Sequence, residues 1–130
     1  FFFFFFFFFL FIFFFFFFFN PKNLEKINEI DNLDVYILSL ARSFIIVEEK
    51  KQWLKKYAPF IREENYILLN KENGDYNAEN REFIKSIKMK EKLNEYDYVI
   101  LLDDDHKILK RTLNEVGKNG EVFHVSSATM

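Results

Sequence analysis

YVILLDDDHKIL, Tyr98 to Leu109, runs an apolar strand pattern straight into three carboxylates and then into a helix pattern. The near-continuous apolar stretch Tyr98-Val99-Ile100-Leu101-Leu102 suits a strand covered on both faces, as in a parallel sheet. Ile108, Leu109, Thr112, Leu113 and Val116 then share one helix stripe, and Gly117 is placed to end it. Ligands of open α/β sheets gather outside the carboxyl ends of the strands, which is where Asp103, Asp104 and Asp105 would sit. Adjacent carboxylates repel, so the run needs a cation or a basic side chain to neutralise it, and hard oxygen ligands favour Mg²⁺. The pattern therefore predicts a metal or phosphate site. The competing role is to cap the helix and complement its dipole, for which one Asp suffices.

The flanking sequence repeats the alternation. Upstream, Leu24, Ile27 and Ile30 are spaced as one helix stripe, and DVYIL (Asp34 to Leu38) reads as a buried strand. Ile46, Val47, Lys50, Trp53, Leu54 and Tyr57 recur at helical spacing, with Pro59 marking the end. NYILL (Asn65 to Leu69) is the next strand, followed by a polar loop with Gly74 and Asp75 and a helix carried by Phe83, Ile84, Ile87 and Leu93. After the acidic strand and its helix comes EVFHV, Glu121 to Val125. The order α-β-α-β-α-β-α-β predicts an α/β domain over residues 20–130, a parallel sheet joined by βαβ crossovers.

Residues 1–19 stand apart in composition: 17 of them are Phe, broken only by Leu10 and Ile12. As a helix the run would span about 28 Å, close to the hydrocarbon thickness of a bilayer. It has neither a basic n-region nor small residues near a cleavage site, so it does not read as a signal peptide. Phe is encoded by a thymine-only triplet and both interruptions are one base change away, so a homopolymeric tract read in frame explains the run economically. It is expected to be a low-complexity artefact, or else a membrane anchor, and in either case to stay outside the sheet.

Composition narrows the partners. With 18 basic and 20 acidic side chains the net charge is −2, and no basic stripe tracks a nucleic-acid backbone. There is no cysteine, which excludes a disulfide framework and is compatible with a cytoplasmic setting unless the Phe run anchors the chain to a membrane. His106 and His124 have no zinc-site spacing. Strand 34–38 delivers Ser39, whose hydroxyl, with nearby backbone N–H groups, can hold a phosphoryl oxygen opposite the acidic run.

In this order the motifs resemble the C-terminal part of a haloacid dehalogenase-like phosphatase, nearest its nucleotidase-like branches. YILS (Tyr36 to Ser39) resembles that family's strand ending in Ser or Thr. KKQWLKKYAPFI (Lys50 to Ile61) resembles the helix and turn that follow, ILLDDDHKIL (Ile100 to Leu109) the acidic element, and VFHVSS (Val122 to Ser127) the next strand. The resemblance implies a Rossmann-like core and Mg²⁺-dependent phosphoryl transfer on a small phosphorylated substrate. In that scheme Asp103 and Asp104 hold the metal, Ser39 donates to a phosphoryl oxygen, and a basic residue, Lys85 or Arg81, serves the phosphoryl group. The family's Asp nucleophile lies on a strand N-terminal to all of these, and no D-x-D element precedes Ser39. The sequence therefore predicts a core lacking its first strand, and a chain with little or no phosphatase activity. A receiver-like signalling domain opening at the acidic run and a membrane-anchored binding protein are the alternative readings.

Overall fold

The computed structural model describes residues 2–7, 25, 26 and 28–124. Five strands form one parallel sheet: β1 (Phe2–Phe7), β2 (Leu33–Ala41), β3 (Tyr66–Asn70), β4 (Tyr98–Asp103) and β5 (Gly120–His124), in the order β3-β2-β1-β4-β5. Helices α1 (Phe44–Tyr57), α2 (Ile84–Lys92) and α3 (His106–Val116) link β2 to β3, β3 to β4 and β4 to β5. The α/β class and the parallel crossovers expected from the alternation are present. Of the expected first helix stripe, Leu24 and Ile27 lie outside the described residues, as do Val125 and the two serines after it.

The position of β1 overturns one expectation. Phe2–Phe7 do not stand apart from the sheet; they pair in parallel with β2 (Phe7 beside Leu38) and with β4 (Phe6 beside Leu102). A strand therefore occupies the middle of the sheet, and its described residues carry no carboxylate. The ladder uses backbone groups that every residue supplies, and Phe is among the residues that strands favour. β2 and β4 each present an inner edge that must be paired if it is covered. Because the six residues are extended, they do not belong to a bilayer-spanning helix, and among the described residues no helix is long and apolar enough to cross a membrane.

Strand alternation sorts the side chains into two cores. Val35 and Ile37 join Trp53, Leu54, Ala58 and Ile61 on the α1 side, where Ile100 and Leu102 of β4 pack against them. Leu38, Leu69, Val99 and Leu101 join Met89 of α2 and Ile108, Leu109 and Val116 of α3 on the other side. The sheet is thus covered on both faces, which is why its strands read as unbroken apolar runs.

The local endings follow from sequence. Ser43 caps α1 by accepting from the Ile46 amide, and Ala58 and Pro59 terminate it. Gly117, with φ +58°, ends α3 in a conformation that side chains disfavour. Helix α2 departs from its expected stripe. Phe83 and Ile87 are exposed, whereas Ile84, Lys85, Ser86 and Met89 are buried. The buried face keeps Ile84 and Met89 and takes in Lys85 while Phe83 and Ile87 are left outside, and the partner of that lysine lies at the end of β4.

Candidate functional site

Ser39 was expected at the end of its strand, but β2 continues through Leu40 and Ala41 because the ladder to β3 runs on to Ala41 beside Asn70. By parity with Val35 and Ile37, Ser39 faces α1. There Lys50 Nζ donates to Ser39 Oγ at 2.5 Å and to the Leu40 carbonyl at 2.6 Å. Ser39 is fully buried and Lys50 nearly so. Burial, with the positive charge of Lys85 as a smaller cause, lowers the Lys50 ammonium from its ordinary value to about 8.

Asp103, the last residue of β4, shares the parity of Val99 and Leu101 and faces α2 and α3. Lys85, in the first turn of α2, donates to Asp103 Oδ2 at 2.9 Å, and both side chains are fully buried. The other carboxylate oxygen accepts from the Asp105 amide at 2.9 Å. Burial lowers Lys85 to about 8, against the pull of Asp103, Asp104 and Asp105 in the other direction. The cation that neutralises the acidic run is thus built in.

The three carboxylates divide the work. Asp105 is the helix cap, accepting from the Lys107 and Ile108 amides, so the capping role proposed for one Asp belongs to this one. Asp104 is half-buried and its Oδ1 is buried without a hydrogen-bond partner. Burial first, then its hydrogen bond to Asp103 and that residue's charge, raise Asp104 from its ordinary value to about 6, with Lys85 opposing. The imidazoles of His106 and His124 stack at 3.8 Å, and His124 Nε2 lies 3.1 Å from the Asp104 carbonyl oxygen.

Ser39 and Asp103 do share one rim. The register through β1 separates them by two strand spacings and a one-residue offset, or about 10 Å. Their side chains, however, face opposite layers, so each meets its own buried lysine. Of the two basic candidates, Lys85 is brought to the acidic run. Arg81 is exposed and lines a different cavity with Arg42, Lys71, Tyr76 and Ala78. Lys50 was not singled out as a site residue, although its place in an otherwise apolar helix stripe was the available signal of a buried cation.

Among the described residues, no group of three His, Cys, Asp or Glu side chains is placed to hold a metal ion. The acidic pair fits a hard cation in part: Asp104 Oδ1 is an unpartnered acceptor, whereas both oxygens of Asp103 are engaged. No family model, curated protein or solved structure matches the chain.

Proposed function

We propose that this chain is a metal- and phosphate-binding α/β domain of the haloacid dehalogenase-like type that does not turn over phosphomonoesters. The observation that carries the reading is the fully buried Lys85–Asp103 pair at the end of β4, with the unpartnered Asp104 Oδ1 beside it. The acidic strand lies next to the middle strand of the sheet, and the resemblance implies that the middle strand would supply the nucleophile. In this chain the described part of that strand is Phe throughout, and no Asp precedes Asp31. A cation and a phosphoryl group could be held there, but the described part of the middle strand offers no carboxylate to form an aspartyl-phosphate.

Mg²⁺, when bound, would act as a Lewis acid on a phosphoryl oxygen. Asp104 would hold it through Oδ1. Asp103 could join only by giving up a bond to Lys85 or to the Asp105 amide. Lys85 supplies the positive charge beside the pair, and Lys50 a second one across the sheet. The partner is a small phosphorylated molecule, since a net charge of −2 without a basic stripe does not suit a nucleic-acid polymer. The receiver-like alternative would make the acidic strand the first of its domain in chain order, whereas β1, β2 and β3 precede β4 and join the same sheet, which favours the phosphatase-like reading.

A Mg²⁺ titration followed by backbone amide shifts tests this. The expected result is weak saturable binding, with Kd on the order of a millimolar and shifts centred on Asp103 to Asp105, that Asp104→Asn removes. Shifts scattered over surface carboxylates and unchanged in Asp104→Asn would overturn the metal assignment.

A further inference from the structure

Three cations converge on a cavity that the rim described above does not use. Ala41 and Asn70 are paired across β2 and β3, so the residues that follow them, Arg42 and Lys71, leave the sheet side by side. The Lys71 amide donates to the Ala41 carbonyl at 2.9 Å, and the Tyr76 hydroxyl donates to the same oxygen at 3.0 Å. That second bond folds the 71–83 loop back over the rim. Arg81 arrives from the end of this loop, and the half-open pocket of about 410 Å³ is lined by Arg42, Lys71, Tyr76, Ala78 and Arg81, of which only Tyr76 is buried. Its size falls in the range of small-molecule sites.

Three of the loop's acidic side chains, Glu72, Asp75 and Glu82, have partners outside the pocket. Glu72 accepts from the Phe44 amide at 3.1 Å. Asp75 accepts from the Asn70 amide at 2.8 Å and from Asn73 Nδ2 at 3.3 Å. Glu82 pairs with Arg111 at 3.6 Å. Among the described residues, no ion pair involves Arg42, Lys71 or Arg81. Burial raises the Tyr76 phenol above its ordinary value, and Arg81 and Arg42 oppose that rise, which sets both guanidinium groups within electrostatic reach of the ring. Three like charges around one cavity repel each other unless an anion joins them. Two planar guanidinium forks favour an oxyanion bound through paired hydrogen bonds, and an ammonium adds a point charge.

We infer that the cavity bounded by Arg42, Lys71, Arg81 and Tyr76 is a binding site for a small, multiply charged phosphate compound, separate from the Asp103–Lys85 pair. Tyr76 forms an aromatic wall, and the loop closes over the ligand from the β3 side. The inference does not depend on the phosphatase-like reading, since none of its residues belongs to the acidic rim.

Pyrophosphate is the probe, titrated calorimetrically into the whole chain, with inorganic phosphate and citrate as parallel arms. Arg42→Gln and Arg81→Gln are each expected to weaken pyrophosphate binding about tenfold or more, the size of one lost charge-assisted contact. Lys118→Gln removes an exposed charge remote from the cavity and is expected to change affinity less than about twofold. The titrations are run in EDTA without Mg²⁺, so that the metal-dependent rim contributes nothing and this result stays apart from its fate. Three results would overturn the inference: no binding up to about 10 mM, equal effects of Lys118→Gln and the two Arg substitutions, or citrate binding tighter than pyrophosphate.

Discussion

Replacing Lys85 with Met removes one partner of an ion pair in which neither side chain is exposed, and the magnitude can be worked from that geometry. Met keeps most of the length and volume of Lys, so the cavity contribution is small and the loss is electrostatic. Asp103 would retain the Asp105 amide at 2.9 Å and its hydrogen bond with Asp104, while its Oδ2 would lie buried beside no cation. Stranding a buried charge in this way costs about 3–5 kcal/mol, well above the value of an exposed pair. With a urea dependence of about 1–3 kcal/mol per molar, the unfolding midpoint should fall by about 2 M. The second substitution makes the reasoning testable even if Lys85→Met alone folds poorly. Asp103→Asn in the same chain removes the stranded charge and keeps an acceptor for the Asp105 amide, so Lys85→Met/Asp103→Asn should recover most of the loss. A Lys85→Met chain within about 1 kcal/mol of the parent, the range of a surface pair, would refute the claim that this ion pair is buried. A double variant no better than the single would refute it as well.

Three further outcomes follow from the same structure. At Gly120 an added Cβ would lie 2.5 Å from Val116 Cγ2 and 2.9 Å from the Val99 carbonyl oxygen, so Gly120→Ala should cost about 1–3 kcal/mol in urea unfolding, and Val116→Ala should relieve only part of it because the carbonyl cannot retreat. Asp105→Ala removes the α3 cap and should cost about 1 kcal/mol by the same measurement; a neutral result would show that Asp105 does not cap the helix in solution. Lys50 is lowered to about 8 from 10.5, so between those values the unfolded chain holds a proton that the folded one has released; stability should rise with pH from about 8 to 9.5, and the rise should shrink in Lys50→Met. Urea midpoints that fall over that window in the parent chain would contradict the burial of this amine.

Sequence periodicity sufficed for the layers of this fold, because a strand covered on both faces can be little else than an apolar run and the helix stripes between such runs fix the alternation. The acidic run was legible at Asp103 and Asp104, but Lys85 was one of two basic candidates offered by resemblance, and only the structure sets it against Asp103. Less legible was which residues would meet. A two-residue period decides that Ser39 turns to α1 and Asp103 to α2, and this depends on where each strand stops; Ser39 read as terminal although the ladder carries β2 two residues further. Of the stripe expected for α2, Ile84 is buried and Leu93 packs on the core, but Phe83 and Ile87 are exposed and Lys85 takes a buried place beside Asp103. The Phe run misled for a related reason. Its one-residue composition argued for a segment outside the sheet, yet strand pairing depends on backbone groups that are alike in every residue. Arg81 could not be assigned from sequence, since its cavity is assembled by Arg42 and Lys71 from two different strand ends.

On the proposed function the rim holds a metal and a phosphate while the described part of the middle strand has no residue to accept the phosphoryl group. The most direct test is the initial rate of hydrolysis of a generic aryl phosphate over a Mg²⁺ titration, with the parent chain beside Asp103→Asn. Losing a covalent nucleophile costs several orders of magnitude in rate, so both chains should stay at the buffer background at every Mg²⁺ concentration. Mg²⁺-saturable turnover in the parent chain that Asp103→Asn abolishes would contradict the account.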